Sequence, residues 1–385
     1  MNKKFVTEYI EKRSKALSSK EAEELRDKLY NLKKTAIDNL DEYVKKAKSS
    51  LEKNGCHVYL AKSNQEAIEE LKKIIGDEKY IVKSKSNTIN KLKIDEKLKA
   101  EIVETDTGDF IAALAGKKDP HPVIPALSLT EKEISKAIKE KLSKDVEPKA
   151  EKIVEFVRNY LREKMLSAKV GLTGANVITT QGQIVILENE GNISIISHVP
   201  EKHIVVAGID KIVKDMDEAN KVVKAAAVWG TGQDWPNYVN VISGPSKTGD
   251  IQNIHIEGAH GAQEVHVILI ENDKYEVAKG KYKDKLFCIN CGACYDLCPV
   301  YNAIGQIPKP SDFERNYKCT LCSNCALNCP VKIDRQSNFR NNRKDFNKLE
   351  KIPQANKKMI ENVRKYGNPF GEIKDGDTPK ELYCC

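Results

Sequence analysis

The chain has 385 residues, of which 40% are hydrophobic and 31% charged, and its formal net charge at pH 7 is +8. This length favours two or three domains, at about 150 residues each. No run of 18 apolar residues occurs, and residues 1–5 lack the apolar stretch of a secretory signal. We therefore expect a cytoplasmic protein with reduced thiols and without a membrane span.

The N-terminal part of the chain combines helical and strand patterns. Residues 1–54 carry leucine and isoleucine at helical spacing between charged residues, and Gly55 ends this helical region. Strands are predicted at residues 56–60, 80–82 and 102–104. Ser63 and Thr130 begin capping boxes that start helices. A further charged helix is expected near residues 148–166.

Strand patterns dominate from residue 177 onward. They are predicted at residues 177–179, 184–187, 193–196, 204–207, 239–243, 254–257 and 265–270, with a helix near 212–226. Strands alternating with helices predict an α/β domain with a buried sheet over residues 55–271. A polar linker (272–286), a cysteine-rich domain (287–345) and a basic tail (346–385) are expected to follow.

The cysteine-rich segment contains two copies of the spacing C-x2-C-x2-C-x3-C-P, 31 residues apart. The first copy is Cys288, Cys291, Cys294 and Cys298; the second is Cys319, Cys322, Cys325 and Cys329. Three closely spaced thiolates can bind one [4Fe–4S] cluster, and in two-cluster ferredoxins the fourth cysteine ligates the other cluster. We therefore predict two clusters with crossed ligation. One is held by Cys288, Cys291, Cys294 and Cys329, and the other by Cys319, Cys322, Cys325 and Cys298.

Two other interpretations of the cysteines are disfavoured. Zinc ribbons pair C-x2-C knuckles across longer gaps, which leaves this regular spacing unexplained. A disulfide framework is typical of small secreted domains, not of a long lysine-rich chain. Cys56 lies in an apolar strand pattern and is interpreted as an inert buried thiol. Cys384 and Cys385 are either a frayed end or a redox pair serving a partner's cofactor.

The segment from residue 335 to residue 365 is strongly basic, with ten Lys or Arg against three acidic residues. Aromatic residues are sparse within it, which disfavours nucleic-acid binding. We interpret the segment as a solvated helix or as a docking surface for an acidic redox partner. Arg340, Arg343 and Lys344 are the candidate docking residues.

Several polar residues of the α/β region are candidates for a ligand pocket. Lys83 and Lys85 alternate at a strand end, where they either bind an anion or extend to solvent at the sheet edge. The sequence Gly-Pro-Ser-Lys-Thr at residues 244–248 suits a phosphate or carboxylate, or forms an ordinary tight turn. The side chains of that turn that could bind a ligand are Ser246, Lys247 and Thr248. The remaining candidates for the pocket are Asn176, Glu190, Asn192 and His260.

Three polar residues of the α/β region can have a structural role in place of a catalytic one. Asp106 and Asp109 are interpreted as turn or cap residues and not as paired catalytic carboxylates. His260 is either a structural hydrogen-bonding residue or a general base.

The order of these segments resembles a known family. The segments are residues 82–86, 103–111, 174–176, 190–192, 208–213, 243–248 and 260–261, followed by the two cysteine motifs. Together they resemble lactate-utilisation protein B, in which an LUD domain is joined to a ferredoxin-like domain. The resemblance covers about residues 30–340. One family position differs, because the histidine that usually follows Pro-Ala-Leu is Ser128 here.

The resemblance implies both a fold and a function. The LUD domain is similar in fold to ribose-5-phosphate isomerase and 5-formyltetrahydrofolate cyclo-ligase, and an α-helical dicluster ferredoxin-like domain follows it. The family acts as the iron–sulfur subunit of a cytoplasmic complex that oxidises L-lactate to pyruvate. Its partners are a cysteine-rich subunit with CCG motifs and a second LUD protein.

Two functions therefore remain open. In the first, the chain is an electron-transfer subunit that relays electrons through two clusters. In the second, the LUD domain binds or converts a small anionic or phosphorylated molecule, and the clusters act as a sensor or electron supply. The absence of a G-x-G-x-x-G fingerprint after a strand favours the first, because no two-electron cofactor site is visible in the sequence.

Overall fold

The computed structural model describes residues 11–117, 126 and 128–373. The described chain separates into two compact units. The first comprises the residues up to Gly292 together with Pro330–Lys332, and the second comprises Ala293–Cys329 and the residues from Ile333 onward. Cys288 and Cys291 belong to the first unit, and the other motif cysteines belong to the second.

The first unit contains the twelve strands of the described residues. They are β1 (His57–Ala61), β2 (Tyr80–Lys83), β3 (Glu101–Glu104), β4 (Val170–Gly174), β5 (Val177–Thr179), β6 (Ile184–Glu188), β7 (Lys202–Gly208), β8 (Ile212–Val213), β9 (Tyr238–Ile242), β10 (Lys247–Thr248), β11 (Ile256–Glu257) and β12 (Glu264–Ile270). Its helices are α1 (Lys20–Asp38), α2 (Leu40–Lys53), α3 (Asn64–Ile75), α4 (Asn87–Asn90), α5 (Thr107–Leu114), α6 (Glu131–Leu142), α7 (Ala150–Ser167), α8 (Asn192–His198), α9 (Met216–Thr231) and α10 (Lys274–Lys279).

Six of these strands form a parallel sheet in the order β1-β12-β7-β4-β2-β3. The central strands are rich in Val and Ile because helices cover both faces. On one face, Ile68 and Leu71 of α3 pack against the sheet. On the other, Val157 and Leu161 of α7 do so. The predicted α/β domain with a buried sheet is confirmed, and the structure shows that the strands of this sheet are parallel.

The order of the parallel strands creates a switch point between β2 and β4, which are adjacent. The chain leaves β2 toward β3 at one edge, whereas it leaves β4 toward β7 in the opposite direction. Crevices that bind ligands form at the carboxyl ends of such strands. Residues that follow β2 and β4 are therefore placed where a ligand site is expected.

A smaller sheet with the order β8-β5-β6-β9 and a two-stranded hairpin, β10-β11, complete the strands. The strand predicted at residues 193–196 is wrong, because these residues lie in helix α8. Gly191 turns the chain with a φ of 84°. The Glu188 carboxylate then accepts hydrogen bonds from the backbone N–H groups of Ile193 and Ser194. A carboxylate at the start of a helix stabilises it.

The predicted N-terminal helix is divided into several helices. Residues 11–17 are helical, and α1 begins after Ser19, whose Oγ accepts a hydrogen bond from the N–H of Ala22. Asn39 then separates α1 from α2. Both helices belong to the first unit. The capping box predicted at Thr130 is confirmed, since its side chain and that of Glu133 each accept a hydrogen bond from the other's backbone N–H.

The described residues of the second unit form helices without strands. They are α11 (Ala293–Asp296), α12 (Pro299–Ile304), α13 (Phe313–Tyr317), α14 (Asn324–Leu327), α15 (Arg335–Lys348) and α16 (Gln354–Tyr366). The predicted linker, 272–286, contains α10 and most of a 3₁₀ turn, Lys283–Phe287. Within residues 11–117, 126 and 128–373, no helix is both long and apolar enough to cross a membrane.

Candidate functional site

The two cysteine loops share an unusual backbone conformation. Asn290 and Gly292 of the first loop have φ values of 59° and 82°. Leu321 and Ser323, at the equivalent positions of the second loop, have φ values of 57° and 67°. Left-handed backbone is disfavoured for a residue as large as leucine. It persists only where the surroundings require it, and such sites are typically functional.

This conformation directs a backbone N–H at the first cysteine of each motif. The N–H of Asn290 donates to Cys288 Sγ at 3.4 Å, and the N–H of Leu321 donates to Cys319 Sγ at 3.5 Å. Hydrogen bonds to cysteine sulfur help set the reduction potential of iron–sulfur clusters. The loops are thus alike in their internal geometry as well as in their spacing.

In the second unit, cysteines of both motifs line one cavity. Cys298 is there with Cys319, Cys322 and Cys325, the four residues assigned to one cluster by the crossed ligation. Cys294 also lines the cavity, and Val300, Ile307 and Phe339 supply apolar wall. Burial raises the pKa values of Cys319 and Cys325 above the ordinary cysteine value. Because iron binds thiolates, binding there would release protons.

Arg343 of α15 donates hydrogen bonds to the second cysteine loop and to the residue Asn316 that precedes it. Its Nε donates to Asn316 Oδ1 at 2.9 Å, and its Nη2 donates to the carbonyl oxygens of Asn316 and Cys319 at 2.9 and 2.8 Å. Gln336 Nε2 donates to the carbonyl of Leu321 at 2.7 Å. Arg343 therefore differs from the exposed Arg340 and Lys344, with which the sequence groups it.

The start of the first motif is packed against elements of the first unit. Lys211 Nζ donates to the carbonyl oxygen of Cys288 at 2.7 Å. Gly230 of α9 lies so close to Cys291 that a Cβ at this position would be 3.1 Å from the cysteine carbonyl oxygen. The absence of a side chain at Gly230 thus lets α9 approach the loop.

All nine cysteines within the described part of the chain are free, including Cys56. Cys56 is buried, and this burial raises the pKa of its thiol to about 11, so it is protonated and unreactive at neutral pH. Cys384 and Cys385 lie outside the described residues. In the described ranges, no three or more Cys, His, Asp or Glu side chains converge as the ligands of a single ion. In a [4Fe–4S] cluster each cysteine ligates a different iron, so such convergence is not required.

A polar crevice of about 310 Å³ lies at the carboxyl ends of β2 and β4, in the first unit. Of the predicted pocket residues, Lys85, Asn176, Glu190 and Asn192 line it. The other polar side chains that line it are Ser84, Ser86, Asn87, Thr88, Asp106, Glu188, Asn189 and Asn290. The crevice therefore occupies the switch point of the sheet, where ligands bind in open α/β folds.

Hydrogen bonds position the acidic side chains of the crevice. Glu190 Oε2 accepts from the backbone N–H of Thr107 at 3.0 Å and from its hydroxyl at 2.9 Å. Asp106 caps α5 by accepting from the N–H of Asp109 at 3.0 Å, as predicted for a cap residue. Burial, opposed in part by Lys85, raises the pKa of Asp106 to about 6. Among the described residues, the Ser84 hydroxyl is buried without a hydrogen-bond partner.

The other predicted pocket residues lie elsewhere. Lys83 is 1% exposed and pairs with Glu104 at 2.6 Å, so it does not reach solvent or the crevice. Ser246, Lys247 and Thr248 lie at the β10-β11 hairpin, where Lys247 is 4.0 Å from Glu257. His260 donates its backbone N–H to Ser246 Oγ at 3.4 Å.

Sequence reasoning missed two residues that the structure brings to these sites. Asn290 is a spacer residue of the first cysteine motif, yet it also lines the crevice. The sequence places Lys211 only within a segment that resembles the family, although its ammonium group contacts the carbonyl oxygen of Cys288. A signal for Lys211 exists in hindsight, because a lysine between a buried strand and a short apolar strand requires a partner.

Comparison with known proteins identifies the family. A family model described as LUD domain matches residues 44–270, which is more than half of the chain. Lactate utilization protein B of Macrococcus caseolyticus is 31% identical over 337 residues, covering 81% of this chain and 69% of that protein. The chain belongs to the lactate utilization protein B family. The predicted family membership is thereby confirmed.

Two further proteins are similar to this member of the family. The protein named uncharacterized electron transport protein YkgF, of Escherichia coli K12, is 29% identical over 336 residues, covering 81% of this chain and 69% of that protein. The crystal structure of a DUF162 family protein from Deinococcus radiodurans covers 60% of this chain and 98% of that chain. Its TM-score of 0.33 at 13% identity is too low to bear on the fold.

Proposed function

We propose that this chain is the iron–sulfur electron-transfer subunit of a cytoplasmic complex that oxidises L-lactate, or a related 2-hydroxy acid, to its 2-oxo acid. The observation that carries the proposal is the pair of cysteine loops, which share spacing, left-handed residues and an N–H donated to the first sulfur. The names of the relatives, which refer to lactate utilization and to electron transport, support the same class.

The assignment of ligands follows the crossed pattern. Cys319, Cys322, Cys325 and Cys298 hold one cluster, and Cys288, Cys291, Cys294 and Cys329 hold the other. When bound, two clusters supply two one-electron centres, which match the two electrons released by a 2-hydroxy acid. The chain itself donates N–H groups to sulfur, and apolar side chains such as Ile307 and Phe339 exclude water. We assign the second unit a ferredoxin-like fold and the first a relation to ribose-5-phosphate isomerase and 5-formyltetrahydrofolate cyclo-ligase.

The substrate-oxidising cofactor then belongs to another protein, for which we propose a cysteine-rich CCG-type subunit, with a second LUD protein in the complex. Arg340, Lys344 and Lys348 are exposed and follow each other at four-residue intervals on α15. They form a basic stripe along one face of the helix. Such a stripe attracts an acidic partner through interactions that weaken with salt.

The test combines cluster analysis with charge reversal of the stripe. The purified chain should contain about eight iron and eight sulfide ions under anaerobic conditions. The Arg340→Glu, Lys344→Glu, Lys348→Glu variant should keep this iron content but transfer electrons to the CCG-type subunit at least about tenfold more slowly in low salt. Stopped-flow absorbance measures the rate. Reversal of Lys45 and Lys46 on α2, both exposed, is the matched control.

The electron-transfer proposal is refuted if the parent chain contains stoichiometric zinc, or if its iron content is near zero after anaerobic reconstitution. A stripe variant as fast as the parent would show instead that α15 is only a solvated surface. The two results are independent, because the stripe side chains are exposed and the second cysteine loop is held by Arg343.

A second candidate function, ligand binding by the LUD domain, is favoured by the crevice and its buried Ser84 hydroxyl. The crevice lining carries three carboxylates (Asp106, Glu188 and Glu190) but one ammonium, Lys85. This balance favours a ligand rich in hydroxyl groups over a phosphate. A small 2-hydroxy acid would place its carboxylate at Lys85.

Saturation-transfer NMR with L-lactate, and separately with glycerol, tests the crevice. We expect Lys85→Met to weaken lactate binding about tenfold and to leave glycerol binding nearly unchanged, because only lactate needs the ammonium group. The Lys247→Met variant is the matched control. If Lys247→Met weakens lactate binding and Lys85→Met does not, the hairpin and not the crevice is the anion site.

A further inference from the structure

A group of buried charges lies beside the first cysteine loop, within the first unit. Lys33 of α1 and Lys211, which follows β7, are 2% and 7% exposed. Lys33 Nζ donates to the carbonyl oxygen of Asp210. Lys211 Nζ contacts both the Asp210 carboxylate, at 3.1 Å, and the carbonyl oxygen of Cys288, at 2.7 Å.

The group carries more positive charge than negative charge. Lys274 lies 3.9 Å from the Asp210 carboxylate, so two ammonium groups, Lys211 and Lys274, contact this carboxylate, while Lys33 contacts the Asp210 backbone. Burial alone would raise the pKa of Asp210, but Lys211, Lys274 and Lys33 hold it below its ordinary value. Asp210 is therefore ionised at neutral pH and offsets one of the three positive charges.

Buried ammonium groups are costly unless a negative charge compensates them. Besides Asp210, the acidic neighbours of these lysines are Glu218 for Lys33 and Asp273 for Lys274. Cys288, whose carbonyl oxygen lies 2.7 Å from Lys211 Nζ, would add a negative charge as a thiolate ligand of a cluster. A [4Fe–4S] cluster with four thiolates is itself an anion and becomes more negative when it is reduced. Its potential depends on the charges around it. A fixed positive charge stabilises the reduced state more than the oxidised state.

We propose that Lys211, supported by Lys33, is a potential-setting residue: its buried positive charge raises the reduction potential of the cluster that Cys288 ligates. This rests on the proposed function and goes beyond it. It gives the segment at residues 208–211 of the LUD domain a role, because Lys211, which follows β7 of the sheet, donates a hydrogen bond to the first cysteine loop. The Lys211 charge acts on the cluster electrostatically and through its hydrogen bond to the Cys288 carbonyl oxygen, and it does not contact a substrate.

The test is an anaerobic redox titration at pH 7, followed by EPR, in a Cys298→Ser background that leaves the cluster of Cys288 to be observed alone. Lys211→Met should shift the midpoint potential of this cluster to a lower value, and Lys33→Met should shift it in the same direction by less. Lys45→Met, which removes an exposed ammonium on α2, is the control and should leave the potential unchanged.

Two further variants separate charge from hydrogen bonding. Lys211→Arg keeps the charge and should retain the parental potential, whereas Lys211→Gln keeps a donor without charge and should behave like Lys211→Met. The proposal is overturned if Lys211→Met binds the cluster at the parental potential, or if Lys211→Arg shifts it as far as Lys211→Met. If Lys211→Met binds no cluster, Lys211→Arg and Lys33→Met decide. A parent chain that binds no cluster at all contradicts the proposed function instead.

Discussion

Replacing Cys298 by serine is expected to reduce the iron content from about eight to about four per chain, and to remove the cluster of the other motif. Cys298 lines the same cavity as Cys319, Cys322 and Cys325, although it is the fourth cysteine of the first motif. A serine hydroxyl is a poor ligand for iron in place of a thiolate, so the cluster in this cavity should be lost. Iron and sulfide analysis after anaerobic reconstitution measures the loss.

EPR spectra decide whether the ligation is crossed. The Cys298→Ser and Cys319→Ser variants should retain the same cluster and give the same spectrum, which should differ from that of Cys288→Ser. A Cys298→Ser spectrum that matches Cys288→Ser would show that each motif binds its own cluster. Cys56→Ala is the control for the loss of a cysteine outside the motifs, and it should keep about eight iron ions.

Replacing Arg343 by methionine is expected to make the cluster of the second loop at least about tenfold more labile. The guanidinium group makes three hydrogen bonds, two to Asn316 and one to the Cys319 carbonyl. Hydrogen bonds to a charged group contribute about 1.5–3 kcal/mol each, and 1.4 kcal/mol corresponds to a tenfold effect. The rate of iron release to a chelator, followed by the decay of visible absorbance, measures this lability.

The neighbouring Arg340 provides the matched control. It lies on the same helix but is exposed, so Arg340→Met should release iron at the parental rate. Arg343→Lys keeps the charge but lacks the planar, forked donors, and it should fall between the parent and Arg343→Met. Equal release rates for Arg343→Met and Arg340→Met would mean that Arg343 does not hold the loop.

The Arg343 contacts revise the docking surface that the basic segment predicts. Arg340, Arg343 and Lys344 are equivalent by charge and by position in the sequence. The fold turns Arg343 toward the cysteine loop and leaves Arg340 and Lys344 exposed, with Lys348 one turn further on. A charge-reversal experiment that includes Arg343 would therefore confuse loss of docking with loss of the cluster.

The sequence by itself determines the chemistry that is encoded over short distances. The cysteine spacing is complete within residues 288–329. The runs of Val and Ile in strands, such as residues 204–207, correctly predict a buried sheet. Capping at Thr130 is equally local, because the partner Glu133 is three residues away. In each case the deciding partners are neighbours in the chain.

Only the tertiary structure decides which distant residues meet. Lys83 and Lys85 look equivalent at a strand end, but Glu104 of the adjacent strand pairs with Lys83, and Lys85 alone lines the crevice. Residues 193–196 look like a strand, yet Gly191 and the Glu188 carboxylate start a helix there.

The same holds for the contact between the LUD domain and the first cysteine loop. Lys211 and Cys288 are 77 residues apart, and their hydrogen bond follows from the packing of the first unit. A periodic pattern reports whether a side chain is buried, but it does not report which charge or carbonyl it meets there. That choice depends on the strand order and on the paths of the connections, which bring together residues that no local pattern relates.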